Sequence, residues 1–347
     1  MSILSLSNNE PNHKKQVKEE FKMNQLKKIS LTALTALSLV GASVALLPQS
    51  ASATTNGIDT TVVDEKWGKP TFIYGGGLSE NQLNETEKLL KIKDPENVAI
   101  DSVTGQGLIN YLGEGSGNTS SMISSVLVQK QDTGEGVDVK IVTPENISQI
   151  TQDQYANAAI TAGVNDVKIE VASVSKVTGE SALTGIYKAF DVNGEDLDQE
   201  RMEVAQQELE TTNEIAQENS ENEEFDTAKF DQAIIDIKQS LADLKEQQGK
   251  LATKEDVERI INEALEKNNL KNAVTQDQIN QLMALFEKYQ QTSAIDSAEV
   301  KEQLKNLSNT VQDKFGDVLQ QAEDSGLVAE VGNFFSQIWD AIVGLFK

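Results

Sequence analysis

Apolar and polar residues alternate from Val137 to Ile141 and again from Val167 to Val171. In the first run Val137, Val139 and Ile141 share one face, with Asp138 and Lys140 on the other. In the second, Val167, Ile169 and Val171 oppose Lys168 and Glu170. A period of two predicts strands. Between them Tyr155, Ala158, Ala159 and Ala162 fall at the i, i+3, i+4, i+7 spacing of an amphipathic helix. Thr151 and Gln154 form a capping box before it, and Gly163 suits its C-cap. The connection is long enough for a crossover, so the pattern predicts a parallel, right-handed βαβ unit, with alanines letting the helix lie close to the sheet.

The flanking pattern extends the sheet. Residues 54–66 read as a flexible lead-in. Further strands are predicted over Pro70–Tyr74, Val98–Val103 and Met122–Gln131. Helices are predicted after Ser79, whose capping-box partner is Gln82, over Gln106–Leu112 before Gly113, and over Ala182–Phe190. Fully covered parallel strands read as continuous apolar runs, and these alternate. The expected class is therefore α+β, a two-layer α/β sandwich with helices mainly on one face, spanning residues 67–222.

Beyond Asn222 the period is helical throughout. Phe230, Ile234, Ile237, Leu241 and Leu244 make a heptad seam. Thr253 caps a helix with Val257, Ile260, Ile261, Ala264 and Leu265 inward. Thr275 and Gln278 open another, and Ser297 precedes a long one. Residues 223–325 are expected to form an antiparallel helical bundle, its seams serving as its own core or as an intermolecular coiled coil. Residues 326–347 form a last amphipathic helix with a wide apolar face that includes Phe334, Phe335, Ile338, Trp339, Ile342 and Phe346. It either closes the bundle or contacts a membrane surface or a partner groove.

Composition adds a compartment. Lys27 and Lys28, the apolar run Ile29–Leu47 and Ala51-Ser52-Ala53 have the layout of a secretory signal over residues 23–53, with cleavage after Ala53. The alternative is a transmembrane anchor, which the Ser, Thr and Gly within the run disfavour. Residues 1–22 form an upstream extension, with Met23 as an alternative initiator. Of 30 Lys+Arg and 55 Asp+Glu, residues 1–53 hold six Lys and three Glu, so the mature chain keeps 24 basic against 52 acidic side chains, a formal charge of −28. Such a chain repels nucleic acid and anionic lipid at long range, so no nucleic-acid partner is expected. The expected partner is an envelope protein or wall component, with membrane contact confined to the terminal helix.

Absences in the sequence constrain the chemistry. There is no Cys, and the single His is His13, ahead of the signal. The mature chain therefore has no disulfides, no Ser-His-Asp or Cys-His site, and no Cys- or His-ligated zinc. No cofactor, metal or catalytic residue is assigned. Ser173-x-x-Lys176 matches a short serine-enzyme pattern, but Ser173 ends a strand instead of opening a helix. Asp191, Asn193, Asp196 and Asp198 lack the glycine and glutamate positions of an EF-hand and read as a turn and helix start. The glycines at 75–77 and 113–117 read as turns, since no P-loop lysine follows. The best binding candidate is the loop Thr178, Gly179, Glu180 and Ser181, which follows the carboxyl end of a central strand and starts a helix. Its amides would favour an anion. Tyr155 and Tyr111 either line that cleft or belong to the core. The competing class is a hydrolase of wall polymer using carboxylates such as Glu180 or Glu145.

The motifs Gly77–Gln82, Ile123–Val126, Gly134–Val137, Pro144–Ile147, Tyr155–Val164, Val171-Ala172, Thr178–Gly185 and Ala205–Leu209 resemble, in order, the YpuA-like family of secreted Gram-positive proteins, a domain of unknown function. The resemblance covers about Asp64–Glu218. It implies an exported, envelope-associated protein and supplies no catalytic residues.

Overall fold

A computed structural model describes residues 57–324, with side chains described as far as Gln312. The segment read as a secretory signal, the cleavage expected after Ala53 and the terminal segment 326–347 with its aromatic residues lie outside the described residues. Five strands form one mixed sheet: β1 (Thr71–Gly75), β2 (Ala99–Val103), β3 (Ser125–Lys130), β4 (Val137–Ile141) and β5 (Val167–Ala172), in the order β2-β1-β3-β5-β4. β1 runs parallel to β2 and β4 to β5, whereas β3 is antiparallel to both β1 and β5.

The helices of the sheet half are α1 (Glu80–Leu89), α2 (Gly105–Leu112), α3 (Gln152–Ala162) and α4 (Ser181–Val192). They start where their caps predict. Ser79/Gln82 and Thr151/Gln154 are reciprocal capping boxes, and Gly113 and Gly163 end α2 and α3 in the left-handed conformation. The β4–α3–β5 crossover is parallel, with Val139 opposite Ile169.

The layering differs from the expected two-layer sandwich. Ile73, Val126, Val128, Ile169 and Val171 point into the large core beneath α3 and α4. The opposite face is also covered: Phe72, Leu127 and Ala172 meet Leu90, Ile92 and Val98. Ile58, in the stretch read as a flexible lead-in, packs there too. On the large-core side the helices stack two deep. The long α5 (Gln199–Glu218), α6 (Thr227–Gln248) and α9 (Ala298–Asp324) lie against α3, and α7 (Lys254–Lys267) and α8 (Gln276–Tyr289) pack outside them.

The physical reason lies in α3. From Gln154 to Ala162 every residue is buried, the polar Gln154, Asn157 and Thr161 included. Asn157 and Thr161 were legible only as a solvent face, but they hydrogen-bond inward to the next helical layer, whereas Gln154 stays in its capping box with Thr151. The heptad seam is likewise filled inside the chain: Phe230, Ile234, Ile237 and Leu241 join the core that contains the sheet. The helices after Asn222 are therefore part of one hydrophobic core and do not form a detached bundle.

Candidate functional site

The loop from β5 to α4 is held from below. The Asn146 side-chain amide donates to the Ser173 carbonyl (2.7 Å), and the Val177 amide donates to the Asn146 carbonyl (3.0 Å). Gly179 sits at φ +102°, where its carbonyl accepts the Tyr155 hydroxyl at 2.7 Å. A Cβ there would lie 2.4 Å from that hydroxyl oxygen and 2.8 Å from Ile147 Cγ2, so only glycine fits. Tyr155 is fully buried. It anchors the loop and does not line a cleft. Burial, then the charge of Glu180, pushes its hydroxyl well above the ordinary tyrosine range.

The anion expectation does not survive this geometry. Glu180 occupies the N-cap position of α4 in helical conformation and makes no side-chain cap bond. The Ala182 and Leu183 amides already donate to the Gly179 and Glu180 carbonyls, at 2.9 and 3.2 Å. Thr178 is exposed and its hydroxyl donates to Glu180 (3.2 Å). The loop therefore presents a carboxylate to its surroundings.

That carboxylate belongs to a larger acidic surface. Between α2 and α5 lies a cleft of about 600 Å³ lined by Leu108, Leu112, Glu114, Glu203, Val204, Gln206, Gln207, Glu210 and Lys288 among others. Burial first, and then the charges of Glu180 and Glu114, raise the Glu210 carboxyl above the ordinary glutamate range. Glu180 is thus electrostatically part of this wall. The Gln206 amide nitrogen donates to Glu210 (2.8 Å), whereas its buried carbonyl oxygen has no partner. Lys288 reaches in from α8 and donates to Gln207 at 2.8 Å.

The other sequence candidates resolve into local structure. Ser173 is fully buried and its hydroxyl donates to the Ser175 carbonyl, while Lys176 is exposed. Asp198 is the N-cap of α5, accepting from the Arg201 amide. Asp191 accepts from Tyr111 (2.9 Å) and Lys188 (3.0 Å), and the Lys188 hydrogen bond holds its carboxyl below the usual range. Tyr111 lines a second, smaller pocket of about 220 Å³ with Tyr187 and Asp191. Gly75 and Gly105 are close-approach positions: a Cβ would fall 2.3 Å from the Met122 carbonyl and 2.2 Å from Gly117. Glu145 is exposed on a separate turn. Among the described residues no three acidic or imidazole side chains converge on a metal-sized site.

Sequence reasoning missed a deeply buried pair of charges. Lys238 on α6 is 0% exposed and Glu208 on α5 is 2% exposed, with Nζ 2.5 Å from Oε1. Lys238 also donates to the Asn157 carbonyl (3.0 Å) and the Thr161 hydroxyl (2.9 Å), and that hydroxyl donates to Glu208 (2.7 Å). Arg201 completes the cluster, its Nε donating to the Thr161 carbonyl at 2.7 Å. Burial pushes the Lys238 ammonium below the usual lysine range. The one sequence signal was a lysine directly beside the seam residues Ile234, Ile237 and Leu241.

These features describe an α+β protein whose mixed sheet and helical overlay share one core. Residues 74–307 match the family model described as protein of unknown function DUF1002, and the chain belongs to that family. The uncharacterized protein YpuA of Bacillus subtilis (strain 168) is 32% identical over 292 residues, which is 83% of this chain and 93% of that relative. No solved structure matches. The match corrects the extent read from the motifs alone: it runs past Asn219 through α6, α7 and α8, as the shared core requires.

Proposed function

We propose that this chain is an exported, envelope-associated protein that recognises or scaffolds a partner and does not turn over a substrate. The carrying observation is the α2–α5 cleft walled by Glu114, Glu203 and Glu210, together with the 178–181 loop, which the Tyr155–Gly179 hydrogen bond holds with Glu180 at its helix start. Support for export comes from the signal-like segment at residues 23–53. Composition argues against thiol or imidazole chemistry, since the chain has no Cys and its one His precedes that segment. Among the described residues no helix is long and apolar enough to cross a membrane; the aromatic and aliphatic residues of segment 326–347 make that segment the proposed point of tethering.

The test is capture from envelope extracts by the purified chain, compared with a Thr178/Glu180/Ser181 triple-alanine variant. Specific retention by the parent and its loss in the variant is the expected result. Equal retention by both would overturn this surface as the recognition element. A second reading, a carboxylate hydrolase of wall polymer, is favoured by the placement of Glu114, Glu203 and Glu210 on one cleft, where Gln206 donates to Glu210 at 2.8 Å and burial and neighbouring charge shift that carboxyl upward. Turnover of purified wall polymer that disappears in Glu210→Gln would establish it over the first reading.

A further inference from the structure

The walls of the α2–α5 cleft make opposite demands. Glu114, Glu203 and Glu210 surround it with carboxylates, and Leu108, Leu112 and Val204 make it partly apolar. Gln206 stands between these two regimes. It is 8% exposed, its amide nitrogen is committed to Glu210, and its carbonyl oxygen accepts from no group. A buried acceptor left without a donor costs about 1–3 kcal/mol, so the site favours a ligand that brings N–H groups. The carboxylates favour one that also brings positive charge, and the aliphatic wall favours one that carries the charge on methylenes.

We infer that this cleft binds a primary ammonium group on an aliphatic stem, the ammonium lying among the carboxylates and the Gln206 carbonyl and the stem against Leu108, Leu112 and Val204. The protein shows the same chemistry at the cleft itself: Lys288 sends its own stem in from α8 and places its ammonium on Gln207. An anion is repelled by these walls. Glu114, Glu203 and Glu210 line the cleft without meeting at one metal-sized point, so a bare metal ion lacks its ligands there. The inference deepens the recognition reading and rests on it, for it names the chemical class that the acidic surface takes.

Two sources carry this group: a lysine side chain within a peptide or peptide-bearing polymer, and a free diamine. Calorimetry on the purified full chain at physiological salt separates them, with Nα-acetyl-lysine amide and cadaverine as probes and Nα-acetyl-norleucine amide as the uncharged stem. Binding of either amine, with norleucine amide at least about ten-fold weaker, is expected. Preference for the lysine amide identifies a chain-borne amine, and preference for cadaverine a free one. Gln206→Met keeps length and removes the acceptor. It should weaken amine binding about ten-fold while circular dichroism stays at the parent's signal. Glu210→Gln should weaken it too, and Glu258→Gln, an exposed carboxylate on α7, should not. The inference is overturned if norleucine amide binds as well as the amines, if Gln206→Met binds as the parent does, or if Glu258→Gln weakens binding as much as Glu210→Gln. Should the purified chain take no amine while envelope capture persists, this inference falls and the recognition reading stands.

Discussion

Lys238→Met tests whether the buried ion pair fastens the helical overlay to the sheet half. The substitution keeps the methylene stem and removes the ammonium. Glu208, 2% exposed, then keeps the Thr161 hydroxyl but loses its counter-ion at 2.5 Å. Breaking one side of a fully buried pair costs about 3–5 kcal/mol, because the remaining charge has neither water nor partner. Against a typical domain stability of about 5–15 kcal/mol, that is a large share. Removing both charges is different. In Lys238→Met/Glu208→Leu no ion is left dry, and Thr161 can turn its hydroxyl to the Asn157 carbonyl one helical turn back, so the double variant should cost about 1 kcal/mol or less. Urea unfolding followed by near- and far-ultraviolet circular dichroism reads both values from the midpoint at constant slope. Lys238 also predicts a pH signature. Burial holds its folded pKa below that of a free lysine, so the unfolded chain binds the extra proton in the alkaline window beneath the free-lysine value. This group therefore makes stability rise with pH there, and Lys238→Met abolishes the rise. A single variant costing under about 1 kcal/mol, or a double costing the sum of the singles, would refute the reasoning.

Three further outcomes follow from the same geometry. Gly179→Ala, forced to φ +102° and into Tyr155 and Ile147, should lose about 2–4 kcal/mol; adding Tyr155→Phe, which removes the clashing oxygen, should recover part of that loss in thermal melts. Glu210 has a folded pKa above the ordinary glutamate value, so its contribution to stability is present in acid and declines as pH rises through that folded value. Glu210→Gln should therefore melt higher than the parent at neutral pH and show no gain at pH 4, and a lower melting point at neutral pH would contradict the cause assigned to the shift. If the proposed membrane contact runs through residues 326–347, deleting them abolishes co-sedimentation with liposomes; sedimentation unchanged by the deletion would remove that segment as a membrane contact.

Local signals carried the sheet half. The alternation at 137–141 and 167–171, the Thr151/Gln154 capping box and Gly163 located β4, α3 and β5, because each is decided by neighbours within a few residues. The loop at 178–181 was found for the same reason, since strand end, glycine and helix start are all read along the chain. Its electrostatics were not. The helix start suggested free amides, but the Gly179 and Glu180 carbonyls take them, and Glu114 and Glu210 arrive from α2's loop and α5, remote in sequence.

The misreading of α3 has a single cause that also explains the extent of the family. A polar stripe on a helix is a solvent face only if nothing covers it, and sequence spacing is silent about what covers it. Asn157 and Thr161 are one turn apart and both meet Lys238, some eighty residues later, while Glu208 and Arg201 approach from α5. Such a cluster binds its members together energetically, since removing any one of them strands the others away from water. The sheet half could not keep these buried polar groups on α3 if α5 and α6 were absent. The helical region therefore follows the sheet as one inherited unit, and its match over residues 74–307 is what that dependence predicts.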